Sequence, residues 1–304
     1  PVHVLIGPND SGKTSILEAV AALCRSVDHP LAPAFTGAWE GRQLVWLGKR
    51  EAPIILTASL EHDNKEIEYS LSCFFTPTGR SVKVDQEKVA LASGSPTNDI
   101  TVKDHPFSRV FHVASQGHAA PDEVMSATML VYDSLVGVHS YRWDPRFLSL
   151  PVAPDRNRRF RMESSGFGLA LCLDDILGYD RESFNKLENR FREIFPQVKS
   201  IKLIPELAFK SPVDDPEQIP MLQKSDGKGV YFEFAADGEP IPARQVSDGV
   251  LLILAYLTIM HLPQPPRVVL VEEPENGIHP SRLKDVLSIL LSLVSEQSQT
   301  QILL

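Results

Sequence analysis

Residues 7–14 carry the most specific chemical pattern in the chain, Gly-Pro-Asn-Asp-Ser-Gly-Lys-Thr. The pattern fits G-x-x-x-x-G-K-[ST], the phosphate-binding P-loop. In such a loop the glycines let the backbone curl so that its N–H groups face phosphate oxygens, and the lysine reaches the β- and γ-phosphates. The hydroxyl of Thr14 is expected to bind Mg²⁺. The residues predicted to bind ATP here are Asn9, Asp10, Ser11, Gly12, Lys13, Thr14 and Ser15.

A second group of chemical residues follows the apolar run Val268–Val271, which leads directly into Glu272 and Glu273. Four apolar residues followed by two acids are typical of a Walker B strand, buried on both faces in a parallel sheet. Its carboxyl end delivers carboxylates to the edge where α/β sheets bind ligands. We expect Glu272 to bind Mg²⁺ and Glu273 to orient or deprotonate the water that attacks the γ-phosphate.

Periodicity predicts the elements that position these residues. The short apolar run of Val2 with Val4–Ile6 predicts a buried strand before the P-loop, and a helix is predicted after the loop. The apolar face of that helix is predicted to contain Ile16, Val20, Leu23, Cys24 and Val27. A helix from Ser247 to about Met260 is apolar all round and should be buried. The face predicted for the last helix contains Leu283, Val286, Leu287, Leu290, Leu293 and Val294.

The middle of the chain is less regular. Residues 54–60 and 67–75 read as strands, the second with a clear period of two, and Val82 with Val84 indicates a third. Val110–Val113 is predicted as a strand, residues 211–228 as a loop, and two helices are expected around 169–177 and 184–194.

Composition limits the functional classes. The chain has 304 residues, 43% of them hydrophobic, a formal net charge of −9 and 3 cysteines without a C-x-x-C pair. A general nucleic-acid-binding role, a zinc site and a disulfide framework are not indicated. No signal peptide or membrane-spanning run is visible, so we expect a cytoplasmic protein without membrane contact. Both ends read as parts of strands, which predicts that the sequence belongs to a longer protein.

The motifs together resemble a known family. The segments at 7–19 and 271–280 resemble ABC-type AAA ATPases related to OLD-family proteins and to the heads of SMC-like proteins. The resemblance implies an α/β fold of the P-loop NTPase class and ABC-ATPase head type, in which helices flank a mostly parallel core sheet. An antiparallel β layer and a helical insert are expected beside it. We predict one composite head: a Walker A lobe (1–42), an antiparallel section (43–110), a helical or irregular insert (111–235) and a signature and Walker B lobe (236–304).

The resemblance also implies further site residues. Gln245–Val250 is similar to the ABC signature segment, whose serine and glycine, here Ser247 and Gly249, complete the nucleotide site of a second subunit. The alternative is that Ser247 only caps a helix. Gln116 could be the Q-loop glutamine that senses Mg²⁺ and the attacking water, or an ordinary loop residue.

Some features depart from that family or lie outside it. Glu272 stands where many relatives have Asp, and the switch histidine expected after the last strand would lie beyond Leu304. His279 is predicted to be a helix-entry residue. Four arginines form a basic cluster that could contact nucleic acid or a partner, with a solvated loop as the alternative. They are Arg156, Arg158, Arg159 and Arg161.

The favoured function is an ATPase that dimerises around ATP and Mg²⁺ and couples hydrolysis to an effector, a nuclease or toxin, in DNA repair or anti-phage defence. The alternatives are a nucleotide-gated scaffold with little turnover, which holds an effector subunit, and the ATPase part of an OLD-type nuclease. The second alternative needs a Toprim domain beyond Leu304.

Overall fold

The computed structural model describes residues 2–8, 10–36, 52–62, 64–76, 81–91, 97–116, 123–155, 159–210, 221–235, 238–294 and 300–304. The chain divides into two compact units. The terminal unit comprises Pro1–Ile6 and His139–Leu304, and the inserted unit comprises Gly7–Val138. Each unit is described by itself.

The elements alternate between helices and strands along much of the chain. In chain order they are β1 (Val2–His3), α1 (Lys13–Arg25), α2 (Leu31–Thr36), β2 (Ile54–His62), β3 (Lys65–Phe75), β4 (Val82–Leu91), β5 (Asn98–Asp99), α3 (Arg109–Gln116), α4 (Glu123–Leu135), β6 (Val138–Tyr141), α5 (Pro145–Leu148), α6 (Leu169–Tyr179), α7 (Arg181–Ile194), β7 (Val198–Lys210), β8 (Met221–Phe234), β9 (Ile241–Pro242), α8 (Asp248–Met260), β10 (Val268–Val271), α9 (Leu283–Leu293) and β11 (Gln301–Leu303).

The terminal unit is built on a sheet with the strand order β1-β11-β10-β6. Strand β11 lies between β1 and β10 and pairs with both in parallel, and Ile302 is opposite Val2 on one side and Val269 on the other. The N–H of Glu272 donates to the carbonyl of Tyr141 at 3.2 Å, so β10 and β6 end at the same edge of the sheet. The predicted α/β fold with a parallel core sheet is therefore confirmed. The buried strand predicted over Val2–Ile6 is wrong beyond His3, where β1 ends, since Val4 and Ile6 are 57% and 91% exposed.

Helix α8 forms the centre of the terminal unit's core. Every residue from Leu251 to Ile259 is buried, as the all-round apolar pattern predicted. On α9 the buried face contains Ile289, and Leu287 is 51% exposed, so the predicted inclusion of Leu287 in that face is wrong. Position 287 lies on the solvent side of the turn that carries Val286 and Leu290, because successive helical residues rotate by about 100°.

Strands β7 and β8 form a long antiparallel hairpin, with β9 on its outer edge. The prediction of a loop over 211–228 is wrong for residues 221–228, which belong to β8. Polar residues there are held in extended form by the ladder to β7 and by Val152, whose N–H donates to the carbonyl of Lys228 at 2.9 Å. The range 111–235 thus contains β6, β7 and β8 as well as helices.

The inserted unit contains an antiparallel sheet in the order β2-β3-β4-β5. Its buried apolar residues on β3 are Ile67, Tyr69, Leu71 and Cys73, so the antiparallel layer is confirmed and the period of two holds up to Leu71; Ser72, at the bulge, is buried as well. The same core takes in Leu23 and Cys24 of α1. Ile16 is 49% exposed, however, and Leu17 is buried in its place, so the predicted first turn of that helical face is wrong.

The predicted strand over Val110–Val113 is wrong, because these residues lie in helix α3. Three acceptor contacts fix the start of this helix. The Glu87 carboxylate accepts from the N–H groups of Arg109 at 2.6 Å and Val110 at 3.3 Å, and the Ser108 hydroxyl accepts from the N–H of Phe111 at 3.0 Å. These contacts satisfy N–H groups that a helix start leaves without a partner, and they outweigh the β propensity of Val and Phe.

Candidate functional site

The P-loop lysine is the first residue of α1 and is held by the loop itself. The Nζ of Lys13 donates to the carbonyl oxygens of Gly7 and Pro8, each at 2.8 Å. Gly12, just before the helix, has φ 88°, a left-handed conformation that glycine adopts without a steric penalty. The Lys13 ammonium group therefore lies against the loop backbone, where a phosphate bound by the loop would lie.

The rest of the loop fits a phosphate in shape. A Cβ at Gly7 would lie 2.7 Å from the Oγ of Ser11, so a larger residue at position 7 would require the Ser11 side chain to turn. Asp10 has φ 63°, which adds a second left-handed turn before the helix. Backbone turns of this kind form concave nests of N–H groups that bind anions, and the N-terminus of a helix adds to the attraction. Asn9 lies outside the described residues, and Ser15 is exposed on α1.

The two predicted acids follow β10 in the terminal unit. Glu272 is largely buried, and its Oε2 lies 3.3 Å from the Nε of Arg142, the residue that follows β6. Glu273 is exposed and has φ 50°, a conformation that few residues other than glycine adopt. Such backbone outliers cost about 1–3 kcal/mol and concentrate at functional sites.

The loop after the acids is folded tightly. Its carbonyls at Glu273 and Glu275 accept from the N–H groups of Asn276 at 2.9 Å and Ile278 at 3.0 Å. Gly277 has φ 77°, and a Cβ there would lie 3.0 Å from Cδ1 of Leu252 on α8. Burial raises the pKa of Tyr256, on the same helix, and the charge of Glu275 adds to the increase. The loop is thus fixed against the first turns of α8.

The predicted signature residues lie at the start of α8. Ser247 occupies the N-cap position with extended backbone, yet its side chain makes no capping hydrogen bond, and the residue is exposed. Gly249 packs closely enough on the post-acid loop that a Cβ would lie 3.4 Å from the carbonyl oxygen of Gly277. The simple capping role that was the alternative for Ser247 therefore has no hydrogen bond to support it.

The signature segment and the post-acid loop line one open pocket of about 580 Å³ in the terminal unit. Ligand pockets are usually about 300–1,000 Å³. Its lining also includes Arg282, whose guanidinium lies 5.1 Å from the ring centre of Phe195. His279 caps the short helix that begins at Pro280, as predicted for a helix-entry residue. The pocket thus combines the N-terminus of α8 and an exposed hydroxyl with two charged residues, Asp248 and Arg282, the latter paired with Asp285 at 3.3 Å. Of these features, the helix N-terminus and the guanidinium favour an anionic ligand.

The structure brings some of the predicted residues together and leaves others unrelated. Ser247 and Gly249 share the pocket, and Glu272 with Glu273 ends β10 beside β6. Lys13 and Thr14 belong to the other unit. Gln116 ends helix α3, so the strand on which its Q-loop assignment depended is absent there, and its side chain lies outside the described residues. Of the basic cluster, Arg156 and Arg158 lie outside the described residues as well.

The residues available for a metal fit Mg²⁺ carried by a nucleotide. Among the described residues no group of three or more His, Cys, Asp or Glu side chains could hold a metal. Mg²⁺ is usually bound through one or two protein oxygens together with substrate phosphates, and the carboxylate of Glu272 in the terminal unit and the hydroxyl of Thr14 in the inserted unit are each an oxygen donor of this kind. None of the helices in the described ranges is both long and apolar enough to cross a membrane.

Sequence reasoning missed Arg142. The residue follows β6, a strand of mixed polarity that gave no period-two signal, and sheet order is not readable from a single strand. Its contact with Glu272 depends on β6 lying next to β10.

One protein-family model matches the chain, over residues 144–304, and its description is "AAA domain, putative AbiEii toxin, Type IV TA system". No curated protein matches. The match contains α8 with the signature segment and β10 with both acids, and it agrees with the parallel sheet described above. The chain therefore belongs to this family of AAA domains, a family of P-loop ATPases.

Proposed function

We propose that the protein is an ATPase whose working form is a homodimer with ATP bound between the subunits. Family membership supports nucleotide binding and hydrolysis in general. The observation that carries the dimer is the pocket at the start of α8, because Ser247 and Gly249, the residues that the resemblance assigns to the nucleotide of a second subunit, both line it and Ser247 is exposed. A phosphate supplied by a second copy is the ligand that this arrangement suits.

In one subunit the P-loop would hold the nucleotide. A β- or γ-phosphate would take the Lys13 ammonium from the carbonyls of Gly7 and Pro8, which are exposed neutral acceptors and hold it weakly. Thr14 and Glu272 would hold Mg²⁺, which neutralises charge on the phosphates when bound. Gln116 remains our proposal for a residue that senses the metal and the attacking water.

Glu273 would act as the general base for the attacking water. Glu273 is exposed and follows β10 directly. Its backbone is left-handed, so the extended conformation of the strand ends at this residue. A carboxylate at the carboxyl edge of a parallel sheet lies where α/β proteins bind ligands.

The second subunit would supply Ser247 and Gly249. The hydroxyl of Ser247 is available because it makes no capping bond, and Gly249 exposes backbone at the second position of α8. Both would contact the γ-phosphate of the partner's ATP, so hydrolysis would open the dimer.

The hydrolysis cycle would act on an effector protein. The family description names a putative toxin of a toxin–antitoxin system, which favours a toxin or nuclease effector in anti-phage defence over DNA repair. We propose a cytoplasmic location. Nucleic acid remains a further candidate partner through Arg159 and Arg161.

Two substitutions test this proposal. Lys13→Ala should abolish binding of ATP in calorimetry, and Glu273→Gln should bind ATP and accumulate as a dimer in size-exclusion chromatography with light scattering. Glu275→Gln is the matched control, because it removes the same charge from the same loop. A Glu273→Gln protein that hydrolyses ATP at the normal rate would show that Glu273 is not the base.

A scaffold with little turnover is the second candidate, and the pairing of Arg142 with Glu272 favours it. The Arg142 guanidinium partly neutralises the negative charge of Glu272, the carboxylate proposed to bind the Mg²⁺ that hydrolysis requires. A single-turnover measurement of ATP hydrolysis separates the two functions. If bound ATP is hydrolysed faster than it dissociates, the protein is an ATPase; if ATP dissociates unhydrolysed, the scaffold is supported.

A further inference from the structure

Arg142 occupies a position that the proposed chemistry does not explain. Its Nε lies 3.3 Å from Oε2 of Glu272, the carboxylate proposed to hold the metal. The Arg142 side chain is 67% exposed, whereas that of Glu272 is 18% exposed. The guanidinium therefore approaches a mostly buried carboxylate from the solvent side.

The backbone that carries Arg142 is fixed. Its N–H donates to the carbonyl of Ser164 at 2.9 Å, and the N–H of Asp144 donates to the carbonyl of Ser165 at 2.8 Å. Between them, the ring of Trp143 packs on Tyr256, with the ring centres 4.6 Å apart. The Cα of Arg142 is thus anchored beside the end of β10, and only its long side chain is free to turn.

A divalent cation and a guanidinium compete for one carboxylate. Two positive groups within a few ångströms repel each other strongly where burial lowers the effective dielectric constant. Glu272 is mostly buried, so this repulsion is not fully screened there. Arg142 is mostly exposed, and its guanidinium regains water when it turns away, so the pair is weak enough to be broken.

We propose that Arg142 is a positioning residue that competes with the divalent cation for Glu272 and thereby sets the metal requirement of nucleotide binding. This inference rests on the proposed function of Glu272. Arg142 holds the carboxylate in place and must turn towards solvent when the metal and its nucleotide bind. Removing the guanidinium therefore strengthens the metal-dependent part of nucleotide affinity and leaves the metal-independent part unchanged.

The experiment compares the affinity of the full chain for the fluorescent nucleotide mant-ADP in EDTA and in Mg²⁺. The ratio of the two dissociation constants measures the contribution of the metal. In Arg142→Gln this ratio should rise roughly two- to fivefold, the size expected for loss of a partly exposed ion pair. Arg146→Gln is the matched control, because it removes an arginine that is 88% exposed and paired with Asp144 instead of Glu272.

A double-mutant cycle makes the test specific to the contact. In a Glu272→Gln background, Arg142→Gln should have no effect on the ratio. An unchanged ratio in Arg142→Gln, or an equal rise in Arg146→Gln, overturns the inference. Weaker binding of mant-ADP in EDTA as well as in Mg²⁺ would mean that Arg142 contacts the nucleotide, and it overturns the inference too. A wild-type chain that binds no mant-ADP under either condition contradicts the proposed function instead.

Discussion

The substitution Gly249→Asp tests why position 249 is a glycine: because the fold needs it for packing, or because the proposed dimer needs it next to the partner's phosphate. In the folded unit the substitution should be harmless or slightly stabilising. Asp forms helix better than Gly by a few tenths of a kcal/mol, and an acid in the first turn adds about 0.3–1 kcal/mol. The new Cβ would lie 3.4 Å from the carbonyl oxygen of Gly277, an ordinary contact. For a unit of this size the net gain of at most about 1 kcal/mol raises Tm by about 2–4 °C.

The effect on dimerisation should be large and of opposite sign. If the γ-phosphate of the partner's ATP lies ~5 Å from the new carboxylate, the repulsion between two unit charges is about 1–3 kcal/mol at effective dielectric constants of 80 to 20. That energy weakens each site by about 5- to 150-fold. A symmetric dimer contains two such sites, so the total repulsion that opposes dimerisation is twice this energy.

The assay uses the Glu273→Gln background, in which the ATP-bound dimer should accumulate. Size-exclusion chromatography with light scattering at increasing protein concentration gives the dimer dissociation constant with ATP and Mg²⁺, and thermal melting of the same samples without nucleotide gives Tm. Gly249→Ala is the control that adds a methyl group without charge. The reasoning is refuted if Gly249→Asp dimerises as tightly as Gly249→Ala, or if it lowers Tm by several degrees.

Three further predictions concern each unit separately. Lys13→Ala should leave Tm within about 1 °C, because its two acceptors are exposed carbonyls, while calorimetry should detect no ATP binding. Burial raises the pKa of Glu87 above 4.5, so the wild type should lose stability as the pH rises from 4.5 through the higher folded-state pKa; thermal melting of Glu87→Gln over this range should lack that loss. Leu290→Ala, at a buried position, should cost about 2–5 kcal/mol in chemical unfolding, whereas Leu287→Ala should cost less than about 1 kcal/mol.

The features that sequence predicted well are those set by local pattern. The helix from Ser247 to Met260 was predictable because every turn of it is apolar, which only a buried helix tolerates. The strand Val268–Val271 was predictable because it is a short continuous apolar run, and the strand around 67–75 because apolar and polar residues alternate in it. Each of these patterns lies within one short segment and needs no distant partner.

The features that sequence missed depend on partners far along the chain. Helix α3 begins where the Glu87 carboxylate, on strand β4, accepts from the first N–H groups of the helix, and the sequence Val110–Val113 does not indicate that contact. Residues 221–228 become a strand only because β7 offers a ladder. The contact of Arg142 with Glu272 needs the neighbouring placement of two strands that are more than a hundred residues apart in sequence.

Two independent observations lead to the same nucleotide chemistry. The family match begins at residue 144, so it contains the acids and the signature segment but not the P-loop. The P-loop is supported separately by its own motif and geometry, with Lys13 donating to the loop carbonyls and Gly12 in a left-handed conformation. Each motif would be of little use alone, because the proposed role of the P-loop is to bind phosphate and the proposed role of the acids is to supply a metal ligand and a base. The presence of both in one chain is therefore stronger support for ATP hydrolysis than either motif by itself.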